Sequence, residues 1–291
     1  MNDSCQMRDA ARTLLRDWLF DRLDAADRDW LASRIALLEE DCSDSALDIA
    51  LGLVARRLGN APLALSDSEL ESADRCLQGW SPGDWSLADA GRILLLSGLP
   101  GTGPDFAPRF RSLCQTADVA EAIALYRGLP LYPQPAALEA TVAEGLRGNM
   151  RSVFEAIAHH NPYPRTYFDP HRWNHMVLKA LFIGSRLAPI QGLDQRNNAE
   201  LARIMRDFAH ERWAAGREVP FEIWRCVGPY ARGDALRDLE RALASADPVE
   251  QRAAALALAA SPDPAAAELL SGMPKIAADI ASGRITWTSL Q

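Results

Sequence analysis

All five histidines of the chain, His159, His160, His171, His175 and His210, fall in one stretch, together with Tyr163, Tyr167, Phe168, Trp173, Phe182 and Phe208. Imidazole titrates near neutral pH and ligates metals, so the cluster invites an acid–base or metal reading. His171 and His175 stand four residues apart, a spacing that lets one helix offer two imidazoles to one ion, with Asp169, His159 or His160 as further ligands. A metal-assisted enzyme built on His159, His160, Asp169, His175 and His210 is the alternative this raises. No HExxH pattern supports it, and two histidines at that spacing also arise by simply sharing a helix face. A core or chance grouping explains the cluster equally well.

A second chemistry lies on the same segment. If a helix runs from Pro170 to Leu187, Trp173, Val177, Ala180, Leu181 and Gly184 fall on one face. Arg172, His175, Lys179 and Arg186 fall opposite. Lys179 is one of only two lysines in the chain and interrupts an otherwise apolar run from Met176 to Ile183. The stripe reads either as a solvated surface or as a site where cations meet a phosphate or carboxylate; snorkelling of the lysine stem accounts for the placement as well. In the following helix, Asn198 to Ala215, Arg212 projects with Leu201, Met205 and Phe208, so it needs a partner. Glu211 or Glu222 would form such a pair. His210 lies on the polar side beside Arg206 and Asp207.

Apolar residues recur at three- and four-residue spacing almost throughout, while the alternation of half-buried strands is hard to find, which predicts an all-α protein. Leu14 to Leu19 and Trp30 to Leu38 mark two helices of a hairpin, Leu47 to Leu58 a third. Ser68 with Glu71 has the spacing of a capping box. Trp85 to Leu96 is helical, ending before Pro100, Gly101, Gly103 and Pro104. Thr116 or Asp118 opens a helix through Tyr126. Pro130, Pro133 and Pro135 make Gly128 to Pro135 the expected joint between an N-terminal half, 1–128, and a C-terminal half, 136–291, with one continuous domain and a packed joint as the alternative. A long helix from Ala136 to His159 then leads into Asn161-Pro-Tyr-Pro164. After Gly233 come short helices near 233–244, 247–260, 264–271 and 273–282, with Asp247-Pro248 and Asp263-Pro264 as N-caps. Antiparallel helical hairpins stacked as an α-α superhelix, HEAT-like in architecture, fit that pattern.

The hydrophobic fraction of 48% and charged fraction of 24% belong to a chain that folds around a core rather than a disordered one. A net charge of −8 argues against polyanion partners, so no nucleic acid is expected. Met1 to Phe20 carries six charged residues and no apolar core, and no run approaches the length of a bilayer span, so a cytoplasmic address without membrane insertion is expected. The five scattered cysteines form no CxxC pair and read as reduced and structural. No GxxxxGK[ST], GxGxxG or GxSxG motif occurs. No cofactor is expected.

Several ordered segments carry more than periodicity. They are Thr116 to Leu131 (TADVAEAIALYRGLPL), Glu144 to Met150 (EGLRGNM), Val153 to Pro164 (VFEAIAHHNPYP), Trp173 to Phe182 (WNHMVLKALF), Ala209 to Arg217 (AHERWAAGR) and Trp224 to Tyr230 (WRCVGPY). Together they resemble the EboA family of metabolite traffic proteins; the first hundred residues and the tail carry little of the likeness. The resemblance implies a non-enzymatic cytoplasmic accessory encoded with a prenyltransferase-like membrane protein, a TatD-like hydrolase, a xylose-isomerase-like barrel and a sugar-phosphate cyclase-like protein. The resemblance further implies an association of that cluster with moving a metabolite precursor towards the periplasm. The family motifs nominate Asn161, Trp173, Asn174, Lys179, His210, Glu211 and Arg212, and do not require histidine at 171 or 175. With Arg172 and His175 from the stripe, these form the expected binding set for a partner protein or an anionic small molecule, with Lys179 at its centre.

Overall fold

The computed structural model describes residues 3–40, 43–99 and 106–290. The expected break at Pro100 to Pro104, and Cys42, lie outside them. The described residues form eighteen α-helices and three short 3₁₀ turns, with no strand beyond one isolated bridge between Pro62 and Ser86.

The chain divides into two compact units, Met1–Asp169 and Pro170–Gln291. The boundary therefore differs from the proline-rich joint read from the sequence. Gly128 to Pro135 lies inside the first unit as two 3₁₀ turns, and Leu129, Leu131, Tyr132 and Pro135 are buried there. Proline fixed the local backbone, but the apolar residues between the prolines drew the segment into the core.

The first unit contains α1 (Asp3–Arg22), α2 (Ala25–Glu40), α3 (Asp44–Leu58), α4 (Asp67–Cys76), α5 (Leu87–Ser97), α6 (Phe106–Thr116), α7 (Val119–Arg127), α8 (Glu139–Arg147), α9 (Arg151–Ala158) and α10 (Tyr163–Tyr167). Its centre is α5, buried at every position from Ala88 to Leu96 and packed on α1, α2, α3 and α7. Such burial on all faces demands that the two charges within the run find partners. They do so on α7: Asp89 accepts from Arg127 at 2.8 Å, and Arg92 lies 3.5 Å from Glu121. Trp18 stacks on Trp80 at 5.6 Å between centroids, and Trp85 meets Trp80 at a tilt at 6.2 Å. Two expected elements shift. The capping box of α4 is Ser66 with Glu69, not Ser68 with Glu71, and the helix foreseen from Ala136 to His159 breaks at Gly148 to Met150 into α8 and α9. Asp118 caps α7 through a capping box with Glu121.

The second unit contains α11 (Pro170–Phe182), α12 (Leu193–Arg196), α13 (Ala199–Ala214), α14 (Ile223–Val227), α15 (Asp234–Leu243), α16 (Pro248–Ala259), α17 (Pro264–Ser271) and α18 (Pro274–Ala281). The α11 helix stops a turn earlier than expected. Gly184, at φ +68°, adopts the left-handed conformation that closes a helix, and the Ser185 N–H bonds back to the Ala180 carbonyl at 2.8 Å. Arg186 consequently leaves the helical stripe. In the tail, successive helices pair from α15 to α18. The aspartate caps form as expected: Asp247 accepts from the Val249 N–H at 2.9 Å, and Asp263 from that of Ala265 at 3.1 Å. Each is preceded two residues earlier by a serine whose Oγ accepts the aspartate N–H, Ser245 at 3.2 Å and Ser261 at 3.1 Å.

Candidate functional site

The expected binding residues separate between the two units. In the first unit, α9 ends at Ala158 and the chain turns through His159 and His160 into Asn161. His160 holds φ at +51°, a left-handed conformation that few residues other than glycine and asparagine adopt readily. The turn delivers Asn161 into the core, where it is 3% exposed. Its Nδ2 donates to the Tyr126 carbonyl at 3.0 Å and the Ala156 carbonyl at 3.1 Å, and its Oδ1 accepts from the Tyr163 N–H at 3.0 Å. One side chain thus ties the ends of α7 and α9 to the start of α10. The buried Tyr163 hydroxyl adds a 2.7 Å bond to the Pro135 carbonyl. The NPYP wording is explained by this junction.

Around it opens a cleft of about 260 Å³, lined by Ser81, Asp84, Trp85, Arg127, Ser152, Glu155, His159, His160 and Asn161 among others. Its charged groups are held in fixed pairs. Arg127 donates to Asp84 at 2.5 Å and to Asp89 at 2.8 Å, and Asp89 in turn accepts from the Ser86 N–H at the start of α5. Glu155 accepts from Arg151 at 2.7 Å. His159 and His160 stand at 6.4 Å between ring centroids. Sequence reasoning named His159, His160 and Asn161 but missed the others. Ser81 and Asp84 lie in the loop between α4 and α5, with no motif to mark them. Arg127 sat unremarked within the quoted Thr116 to Leu131 motif, although an aspartate at 89 inside an apolar run already required such a cation.

In the second unit, α11 and α13 carry the rest. Trp173 is fully buried, with the Arg196 guanidinium 4.9 Å from its ring centre. Asn174, 4% exposed, exchanges amide bonds of 3.1 and 2.9 Å with Asn198, whose Oδ1 also caps α13 through the Leu201 N–H. Both are therefore packing and joining residues. Arg172 and Lys179 are half-buried on α11, and His175 is exposed, its ring 4.4 Å from that of His171. Burial pushes the Lys179 ammonium below the usual lysine range. One turn further, Phe182 is 63% exposed and meets Phe208 edge-on at 5.2 Å.

The α13 residues serve the fold in ways the sequence did not specify. Arg212 donates from Nε to the Glu218 carbonyl at 2.7 Å. It is not held by Glu222, whose carboxylate instead accepts the Leu187 and Ala188 N–H groups at 3.0 and 2.8 Å. Glu211 is exposed. His210 reaches Asp238 of α15 at 2.7 Å, and Arg206 holds the other oxygen of the same carboxylate at 2.7 Å. Among the described residues, no group of three His, Cys, Asp or Glu side chains is placed to hold a metal ion. The histidines divide among the cleft, α11 and α13.

The family model described as metabolite traffic protein EboA matches residues 11–228. The chain belongs to the EboA family. The match reaches well into the first hundred residues, further than the motifs alone conveyed, and ends on Gly228 before the α15–α18 tail. No curated protein matches the chain, and neither does any solved structure. Both the cleft and the α11–α13 face lie within the matched residues.

Proposed function

We propose that this EboA-family chain is a non-enzymatic cytoplasmic adaptor in metabolite traffic, which holds a small polar molecule in the cleft of its first unit. The observation that carries this reading is the state of the cleft's charged groups. Arg127, Asp84 and Glu155 are committed to ion pairs and Asn161 to three backbone partners. Such fixed pairs preorganise a receptor, whereas a reaction centre needs a group poised to move a proton or attack. No helix among the described residues is long and apolar enough to cross a membrane, in keeping with a carrier that meets its membrane partner from outside the bilayer.

The partner surface we assign to α11 and α13. There Arg172, His175 and Lys179 share α11 with the exposed Phe182 ring, basic side chains with an apolar contact, suited to an anionic group on a metabolite or a co-encoded protein such as the prenyltransferase-like membrane protein. The HEAT-like stacking is proposed for α15 to α18, where successive helices pair.

The test is a thermal-shift screen of the full chain against phosphorylated, prenylated and unmodified polar metabolites, with recovery of each ligand by mass spectrometry. A stabilising compound recovered unchanged, whose effect disappears in Ser152→Trp, supports the reading. Conversion of the compound, or an undiminished shift in Ser152→Trp, overturns it. For the partner surface, capture of co-encoded proteins should fall on Lys179→Ala and on Phe182→Ser; capture by both variants as strong as by the parent chain removes the assignment.

A further inference from the structure

A second cleft of the first unit also borders α5 and α7. It measures about 150 Å³ and is lined by Asp48, Leu51, Arg92, Leu113, Thr116 and Glu121 with two neighbours. Arg92 is 5% exposed. Its ion pair to Glu121 is long, at 3.5 Å, and its Nε is sealed from solvent without any hydrogen-bond partner. The contrast with Arg127 is direct, because that guanidinium is met by two carboxylates at 2.8 and 2.5 Å. A buried guanidinium with an unmet donor is costly, since it forfeits water without replacing it.

A guanidinium presents a planar fork of donors that a carboxylate meets with two parallel bonds. The rim, however, is acidic. Asp48 and Glu121 both line the cleft, and α6 ends at Thr116, so its last carbonyls bring the negative end of a helix dipole to the same place. A bare anion would meet repulsion there. A ligand that offers a carboxylate inward and a donor outward satisfies both halves.

We propose that this cleft binds a small carboxylate with an adjacent hydrogen-bond donor, an α-amino or α-hydroxy acid, its carboxylate on Arg92 and its donor against Glu121 and Asp48. The site is separate from the cleft around Asn161 and does not depend on the function proposed for it.

Titration of the ¹⁵N-labelled full chain with glycine, glycolate, acetate and inorganic phosphate tests the assignment through the Arg92 Nε–H resonance. Glycine or glycolate should move that signal saturably, and which of the two does so identifies the donor. Acetate, lacking the donor, should bind about tenfold more weakly, and phosphate should leave the signal in place. Ala117→Trp, at the half-buried mouth between α6 and α7, leaves the Arg92–Glu121 pair intact and should abolish the response. Arg92→Lys, which keeps the charge but loses the fork and with it the reporting Nε–H, should weaken glycine or glycolate binding when read by calorimetry. No movement with glycine or glycolate, an equal response to acetate, or an undiminished response in Ala117→Trp overturns the proposal.

Discussion

At the scale of single residues, the site is held by side chains whose partners are backbone groups or one another. Glu69 shows how such a partner fixes a protonation state. Hydrogen bonding to Arg22, at 2.8 Å, and to the Ser66 backbone and hydroxyl hold its carboxyl below the ordinary glutamate range. Because the folded value is depressed, the stabilisation is present above the ordinary value and lost as pH falls through the lowered one. Glu69→Gln should therefore cost about 1 kcal/mol near neutral pH, and denaturant titrations at decreasing pH should show the variant and the parent converging. Cys226 illustrates the opposite sign. Burial pushes its thiol up to about 12, so it stays protonated and sealed. Mass-spectrometric thiol labelling at mildly alkaline pH should leave Cys226 unmodified in the native chain and label it after denaturation. Asn161 marks what the residue scale concealed from the sequence. Its type and motif were readable, but the carbonyls of Tyr126 and Ala156 become its neighbours only when α7 and α9 pack together. The stripe on α11 was readable as a face because helical period is a local property. Which of its members would join the core was not, and Asn174 turned out to pair with the cap of the next helix.

At the scale of elements, starts were more legible than stops. Asp118, Asn198, Asp247 and Asp263 cap helices where side-chain chemistry and a following helical run make the same statement. The stop of α11 depended on Gly184 taking a left-handed conformation, and the break between α8 and α9 on Gly148 to Met150, where nothing but the fold decides that the chain should turn. The two tail caps differ in a way that predicts energies. Asp247 serves its own helix, whereas Asp263 also accepts from the Gly233 N–H at 3.3 Å, and its neighbour Ser261 donates to the Ala231 carbonyl at 2.8 Å. Asp247→Ala should cost about 1 kcal/mol and Asp263→Ala more, towards about 2 kcal/mol. Chemical denaturation of the two single variants measures the order; equal losses would show that the bond to Gly233 contributes nothing.

At the scale of the whole molecule, the family match ends where packing does not. Gly228 closes the matched residues, yet a methyl built on it would lie 2.7 Å from the Ala257 Cα and carbonyl oxygen of α16, so the backbones touch across that line. A chain truncated after Tyr230 should lose the cover of α14 and populate a state that proteases cut within 170–230, while the first unit resists; limited proteolysis with mass-spectrometric mapping reads both parts. The sequence reading had two halves but put their joint at Gly128 to Pro135 rather than at Asp169, because proline density marks stiffness, not the absence of contacts. One feature of the first unit reaches beyond stability. Along α5 the order is aspartate then arginine, and along α7 glutamate then arginine, so Asp89 meets Arg127 and Arg92 meets Glu121 when the helices run in opposite directions. Were α7 to dock parallel, acid would face acid and guanidinium would face guanidinium in a medium that screens neither. Four charges along this helix pair, two buried and two half-buried, therefore act as a polarity key, disfavouring the parallel docking that apolar contacts alone would tolerate.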